Sequence, residues 1–193
     1  MSRTRIAVVG VGHLGRHHAR LLKELDCELV AVADPSEKAR EAAQQAYGVP
    51  AFADHRSLVG MVDAVSVVTP TNLHREVAGF FLEHGIDTLV EKPITATVEE
   101  GRELVEIARR HGRILQVGHV ERFNPAFERL QEVARNARYI ESQRFAPFSF
   151  RITDIGVVLD LMIHDLDLVR YLVGSPVASV DCAGGAILTD HED

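Results

Sequence analysis

Short apolar runs alternate along the chain with longer segments in which apolar residues recur every three to four positions. The runs at 6–9, 28–33, 64–68, 88–90 and 114–117 are apolar almost throughout, the pattern of parallel strands covered on both faces. Phe52 marks one further short strand. Between the runs, the stretch after Gly15 through Leu21, Leu22 and Leu25, and then 36–46, 72–84 and 98–111, carry the helical period. Pro35 or Ser36 starts one helix, and Gly85 and Gly112 end two others. Strands alternating with helices predict an α/β fold over residues 1–120, a doubly wound parallel sheet whose ligands bind beyond the carboxyl ends of its strands.

After residue 120 the rhythm changes. Asn124-Pro125 reads as a cap followed by proline at the first helical position, opening a helix to about residue 136. Residues 139–151 have β character, and a helix through Asp160 and His164 runs to about Val173 and stops at Gly174-Ser175-Pro176. Residues 177–188 resemble a further strand. Together, 121–193 predict the start of a second, α+β domain with too few elements to close a sheet. The sequence therefore reads as a fragment, or as a shortened protein with an exposed sheet edge.

Composition narrows the partners. The 193 residues are 46% apolar and 25% charged, values of an ordinary globular protein. A net charge of -7 argues against a nucleic-acid surface. Cys27 and Cys182 lie far apart with no CxxC, which predicts neither a metal site nor a disulfide framework but a reduced, cytoplasmic setting. No apolar stretch approaches the roughly 20 residues of a membrane span, and the opening residues are too brief for a signal peptide.

The first strand opens into Gly10-Val11-Gly12-His13-Leu14-Gly15, a GxGxxG between strand and helix. Gly10 permits the tight turn, Gly12 lets backbone amides approach a pyrophosphate, and Gly15 allows close packing of the helix whose N-terminus faces the anion. Asp34 ends the second strand, about 20 residues beyond the glycines, where an acid accepts hydrogen bonds from an adenosine ribose. It would repel a 2′-phosphate, which favours NAD over NADP, although Lys38 and Arg40 stand nearby. His13, His17 and His18 read as phosphate neighbours or solvent-facing helix residues, and no metal is predicted.

Three more strand ends carry unusual residues: Thr69-Pro70-Thr71-Asn72-Leu73-His74, Glu91-Lys92-Pro93 and Gly118-His119-Val120-Glu121-Arg122-Phe123-Asn124-Pro125. All should converge on the cofactor crevice, with Thr69, Pro70, Asn72, His74, Glu91, Lys92 and Gln116 joining Gly10, Gly12, His13, Leu14, Gly15 and Asp34 around the dinucleotide. Lys92, pinned between a strand and Pro93, either aims its ammonium at a substrate oxygen or forms a solvated pair with Glu91. Asp160 and His164 share a helix face at i and i+4, as a base with its orienting carboxylate or as a structural ion pair. Arg144 and Arg151 either grip a substrate pyrophosphate or are ordinary strand-face arginines. Arg122 and Asn124 join them as expected substrate neighbours.

Taken together, GxGxxG, the TPTxxH at Thr69 to His74, Glu91-Lys92-Pro93 and the DxxxH at Asp160 and His164 resemble the Gfo/Idh/MocA oxidoreductases. The resemblance implies a Rossmann domain followed by an α/β domain that forms the substrate site and often an oligomer interface. It also implies catalytic roles for Lys92, Asp160 and His164 and a homo-oligomeric full-length protein. A finer likeness, in residues 118–125 and 151–165, is to the bacterial nucleotide-sugar branch, especially the UDP-N-acetylglucosamine 3-dehydrogenases of the diamino-sugar lipid A pathway. It implies oxidation at C3 of a UDP-N-acetylhexosamine. An inositol or free-sugar dehydrogenase of the same family, or a non-catalytic NAD-binding module, are the alternative readings.

Overall fold

Six of the apolar runs are strands: β1 (Arg5–Val9), β2 (Glu28–Ala33), β3 (Ala51–Phe52), β4 (Ala64–Val67), β5 (Asp87–Val90) and β6 (Leu115–Val117). They alternate with helices α1 (Gly15–Glu24), α2 (Glu37–Tyr47), α3 (His74–Glu83) and α4 (Val98–His111). All strand pairs are parallel, in the order β3-β2-β1-β4-β5-β6. This is the doubly wound order, with its switch point between β1 and β4. The computed structural model describes residues 3–134, 137–145 and 156–186.

Period-two alternation sorts each strand between two cores. Ala7, Val9, Ala31, Ala33, Val65 and Val67 face a cluster that includes Phe81, Leu82, Leu104 and Ile107 of α3 and α4. Val8 and Val32 face the opposite cluster, with Ala19 of α1 and Ala43 of α2. Burial on both sides explains why these strands read as unbroken apolar runs. Helix ends follow local chemistry. Ser36 Oγ accepts the Ala39 N–H to start α2, and Thr97 and Glu100 form a reciprocal capping box on α4.

The chain divides into two compact units, Met1–Gly118 and His119–Asp193. The second contains α5 (Pro125–Val133), a π-helical turn (Val158–Met162) and α6 (Ile163–Val173). Asn124 caps α5 through Oδ1, as its position before Pro125 predicts. Two expectations are corrected here. Residues 139–145 and 177–186 are not strands, and 146–151 and 187–188 lie outside the described residues. β character needs a neighbouring strand to accept its backbone bonds, and the second unit supplies none among the described residues. The helix through Asp160 is also not α throughout, because a π turn holds Asp160 before α6 begins. No helix among the described residues is long and apolar enough to cross a membrane.

Candidate active site

At the switch point, β1 runs into Gly10 at φ +86°, where an added Cβ would lie 2.5 Å from the Val68 carbonyl oxygen. Only glycine fits both that backbone and that approach. A Cβ on Gly15 would fall 1.8 Å from the Gly10 carbonyl oxygen, so α1 packs directly on the loop. Gly12 has no neighbour within 4 Å of its missing Cβ. Among the described residues nothing crowds it, which leaves bare backbone for a ligand. Gly12, His13 and Leu14 are exposed. α1 has Leu14 at its N-cap position with no side-chain cap and no acid in its first turn, so no side chain competes with an anion there, although the Arg16 and His17 N–H groups donate to the Gly12 and Leu14 carbonyls at 3.3 and 2.9 Å. His13 Nδ1 lies 3.1 Å from Arg16 Nη2 at this entrance.

Asp34 ends β2 with both carboxylate oxygens engaged by backbone. Oδ2 accepts the Val11 N–H and Oδ1 the Ser36 N–H, each at 2.8 Å. The acid thus ties the glycine loop to the β2 exit. Arg40 Nη1 donates to the carbonyls of Asp34 and Pro35, both at 2.9 Å, and is drawn onto the main chain of that turn. A helix start without a capping side chain, an uncrowded Gly12 and a fixed carboxylate about 20 residues on suit a dinucleotide.

The TPTxxH stretch divides by role. Pro70 and Asn72 are exposed, and Thr69 carries a buried hydroxyl with no hydrogen-bond partner among the described residues. His74 is corrected from a cofactor contact to a core strap. It is 1% exposed, with Nδ1 2.9 Å from the Pro93 oxygen and Nε2 2.9 Å from the Thr69 oxygen. Gln116 is exposed in the middle of β6.

Glu91 and Lys92 leave β5 together, but they do not form a solvated pair. Glu91 is 7% exposed and accepts the Lys92 backbone N–H at 3.1 Å. Its other oxygen is 3.2 Å from His18 Nε2. Burial pushes the Glu91 carboxyl up, but the His18 bond, the Lys92 N–H and the charges of both partners outweigh it. The group is held below the ordinary glutamate value. The Lys92–Pro93 bond is cis. His18, expected at the phosphate or in solvent, is half-buried against the sheet, with Nδ1 2.8 Å from Ser66 Oγ. Its signal in the sequence was position: residues 15, 18, 19 and 22 form the inward stripe of α1, and a histidine there needs a buried partner.

In the second unit, Asp160 sits in the π turn and His164 in the first turn of α6, both half-buried. The other expected substrate residues have partners within the unit. Arg122 forks onto Asp167, with Nε 2.7 Å from Oδ2 and Nη2 bonded to Oδ1, and its guanidinium lies over the Tyr171 ring. Asn124 is spent on its cap and on Glu121. Arg144 forks onto Asp165 at 2.7 and 3.2 Å, and this bond together with the charges of Arg144 and His164 holds Asp165 below the ordinary range. Arg151 lies outside the described residues. Among the described residues no cluster of three His, Cys, Asp or Glu side chains is placed to hold a metal.

Residues 4–119 match the oxidoreductase family with an NAD-binding Rossmann fold, Gfo/Idh/MocA. The chain belongs to that family. It is 41% identical, over its whole length and 62% of the relative's, to a UDP-N-acetylglucosamine 3-dehydrogenase of Acidithiobacillus ferrooxidans. The solved structure of that organism's UDP-N-acetylglucosamine 3-dehydrogenase GnnA superposes with a TM-score of 0.92 at 39% identity, covering 100% of this chain and 64% of that one. A scyllo-inositol 2-dehydrogenase (NAD(+)) of Bacillus subtilis is 32% identical over 93% of this chain and 57% of its own. GenD2 from gentamicin A biosynthesis, solved in complex with NAD, is similar at a TM-score of 0.81 and 26% identity, over 91% of this chain and 55% of that one. The chain thus spans about 62% of the length of the first of these relatives.

Proposed function

We propose that this chain serves an NAD-dependent oxidation of a sugar secondary alcohol, C3 of a UDP-N-acetylhexosamine. The observation that carries the chemistry is the emplacement of Lys92: at the carboxyl end of β5, its backbone anchored by a buried carboxylate, in a sheet whose glycine loop is open to a pyrophosphate. The likeness to the Acidithiobacillus ferrooxidans dehydrogenase, over all of this chain and 62% of that one, supports the sugar nucleotide over a free polyol, since the inositol relative is more distant. Residues 1–120 hold the dinucleotide, and residues 121–193 contribute to the substrate domain.

Gly10, Gly12, Gly15 and the start of α1 take the pyrophosphate, and Asp34 takes the adenosine ribose. Bound dinucleotide supplies the hydride acceptor that oxidation of a secondary alcohol requires. Lys92 donates a hydrogen bond to the substrate oxygen and stabilises its developing negative charge. His164 accepts the hydroxyl proton, and Asp160 orients the imidazole. Thr69, Pro70, Asn72 and Gln116 border the dinucleotide. Asp34 would repel a 2′-phosphate, and Arg40, tied to two carbonyls, is not positioned to offset that. NADPH should therefore bind at least about 10-fold more weakly than NADH, as read by cofactor fluorescence.

The deciding experiment follows NADH formation from NAD with UDP-N-acetylhexosamines, free hexosamines and inositols. Turnover confined to the nucleotide sugars, inhibited by UDP, is the expected result. Lys92→Met and His164→Ala should each cost on the order of 10²-fold or more in kcat. Normal turnover in both variants would defeat the mechanism, and turnover with inositol untouched by UDP would move the substrate to the free polyols.

A further inference from the structure

His18 takes no part in the roles above, yet it sits at the centre of a buried polar chain. Its Nε2 is 3.2 Å from Glu91 Oε1, and its Nδ1 is 2.8 Å from Ser66 Oγ on β4. An ionised carboxylate only accepts, so Nε2 carries the proton. In the neutral ring Nδ1 then accepts from the Ser66 hydroxyl. Ser66 is 3% exposed and Glu91 7%, so neither has water enough to replace these bonds. The other Glu91 oxygen accepts the N–H of Lys92. Gly118 completes the wall: a Cβ there would come within 2.6 Å of Glu91 Oε1.

We propose that His18 is a positioning residue for Lys92, acting through Glu91. The inference rests on the reading of Lys92 as the group that meets the substrate oxygen. The order of links is Ser66 to His18, His18 to Glu91, and Glu91 to the Lys92 peptide. The links run from β4 and the helix heading the dinucleotide loop to the lysine beyond β5. The titratable partners facing the Glu91 carboxylate are His18 from α1 and Lys92 from its own loop. With His18 removed, burial is left opposed by Lys92 alone. The carboxylate then gains a proton more readily and loosens its hold on the Lys92 N–H.

The test follows the Lys92 backbone amide by ¹⁵N NMR in the full chain as pH falls, alongside turnover. In the wild type the amide shift tracks Glu91 with a midpoint below the ordinary glutamate value, and Glu91→Gln abolishes that titration. His18→Ala should raise the midpoint by about one pH unit and lower kcat about 10-fold, with KM for NAD changed less than about 3-fold. His18→Gln keeps an N–H donor for the carboxylate and should restore most of both, whereas His18→Leu, which fills the space without a donor, should repeat the alanine result and decides the matter if the alanine variant does not fold. An unmoved midpoint in the variants that lack a donor, or a loss confined to NADH affinity, overturns the proposal and leaves His18 as helix packing. Absence of wild-type turnover on every sugar instead overturns the dehydrogenase reading, while the amide titration still decides the role of His18.

Discussion

Gly12 and Gly15 differ in what made them glycine. At Gly15 the cause is internal, since a Cβ would overlap the Gly10 carbonyl, whereas at Gly12 the chain offers no obstacle. Gly15→Ala should therefore lower both stability, by about 1–3 kcal/mol as overpacking does, and NADH binding. Gly12→Ala should stay within about 0.5 kcal/mol of the wild type while losing NADH affinity about 10-fold or more. Denaturant melts and fluorescence titrations of both variants separate the two causes, and equal loss of stability in both would refute the distinction. Glu91 carries a pH dependence. Its folded value is depressed below the ordinary 4.5, so its stabilisation is full above that value and is lost as pH falls through the lower folded one. Asp165 and Asp167, also depressed by arginine partners, act with the same sign. The melting temperature should thus fall on acidification from about pH 5 to pH 3, and less steeply in Glu91→Gln.

At the scale of elements, α2, α4 and α5 are each started by a capping side chain of their own, Ser36, Thr97 and Asn124. Thr97 satisfies the Glu100 N–H and Glu100 returns the bond to the Thr97 N–H. Thr97→Ala removes the first of these and frees its partner, and should cost about 1 kcal/mol in a denaturant titration without affecting NADH binding. No measurable loss would mean that tertiary packing alone holds α4. α1 is the contrast, begun without a capping side chain where the dinucleotide is proposed to lie. The π turn at Asp160 is a second contrast. Such turns often occur at functional sites, and this one sets the carboxylate in a different backbone from the α-helical His164.

At the scale of the molecule, both apolar clusters belong to the first unit, while Phe127 is the one buried hydrophobic side chain in the second among the described residues. A chain stopped after Gly118 should hence keep one cooperative unfolding transition and bind NADH within a few-fold of the full sequence. Calorimetry and fluorescence titration would check it, and a broad, non-cooperative melt would show that the sheet depends on residues beyond Gly118. The strand–helix rhythm, the glycine turn, Asp34 and the cap at Asn124 were legible in the sequence because each depends on neighbours a few residues away or on burial of a whole run. What the sequence could not reveal depends on residues far apart along the chain. Of the strands expected at 139–151 and 177–188, the described residues 139–145 and 177–186 are not strands, and Arg122 and Arg144 met aspartates on α6. His74 proved a buried strap between two carbonyls, and His18 a link to Glu91 across the sheet. Local pattern therefore determined the fold and the dinucleotide loop. Which polar side chains remain available for chemistry was decided only by tertiary structure, because a buried donor or acceptor takes the partner that folding brings to it.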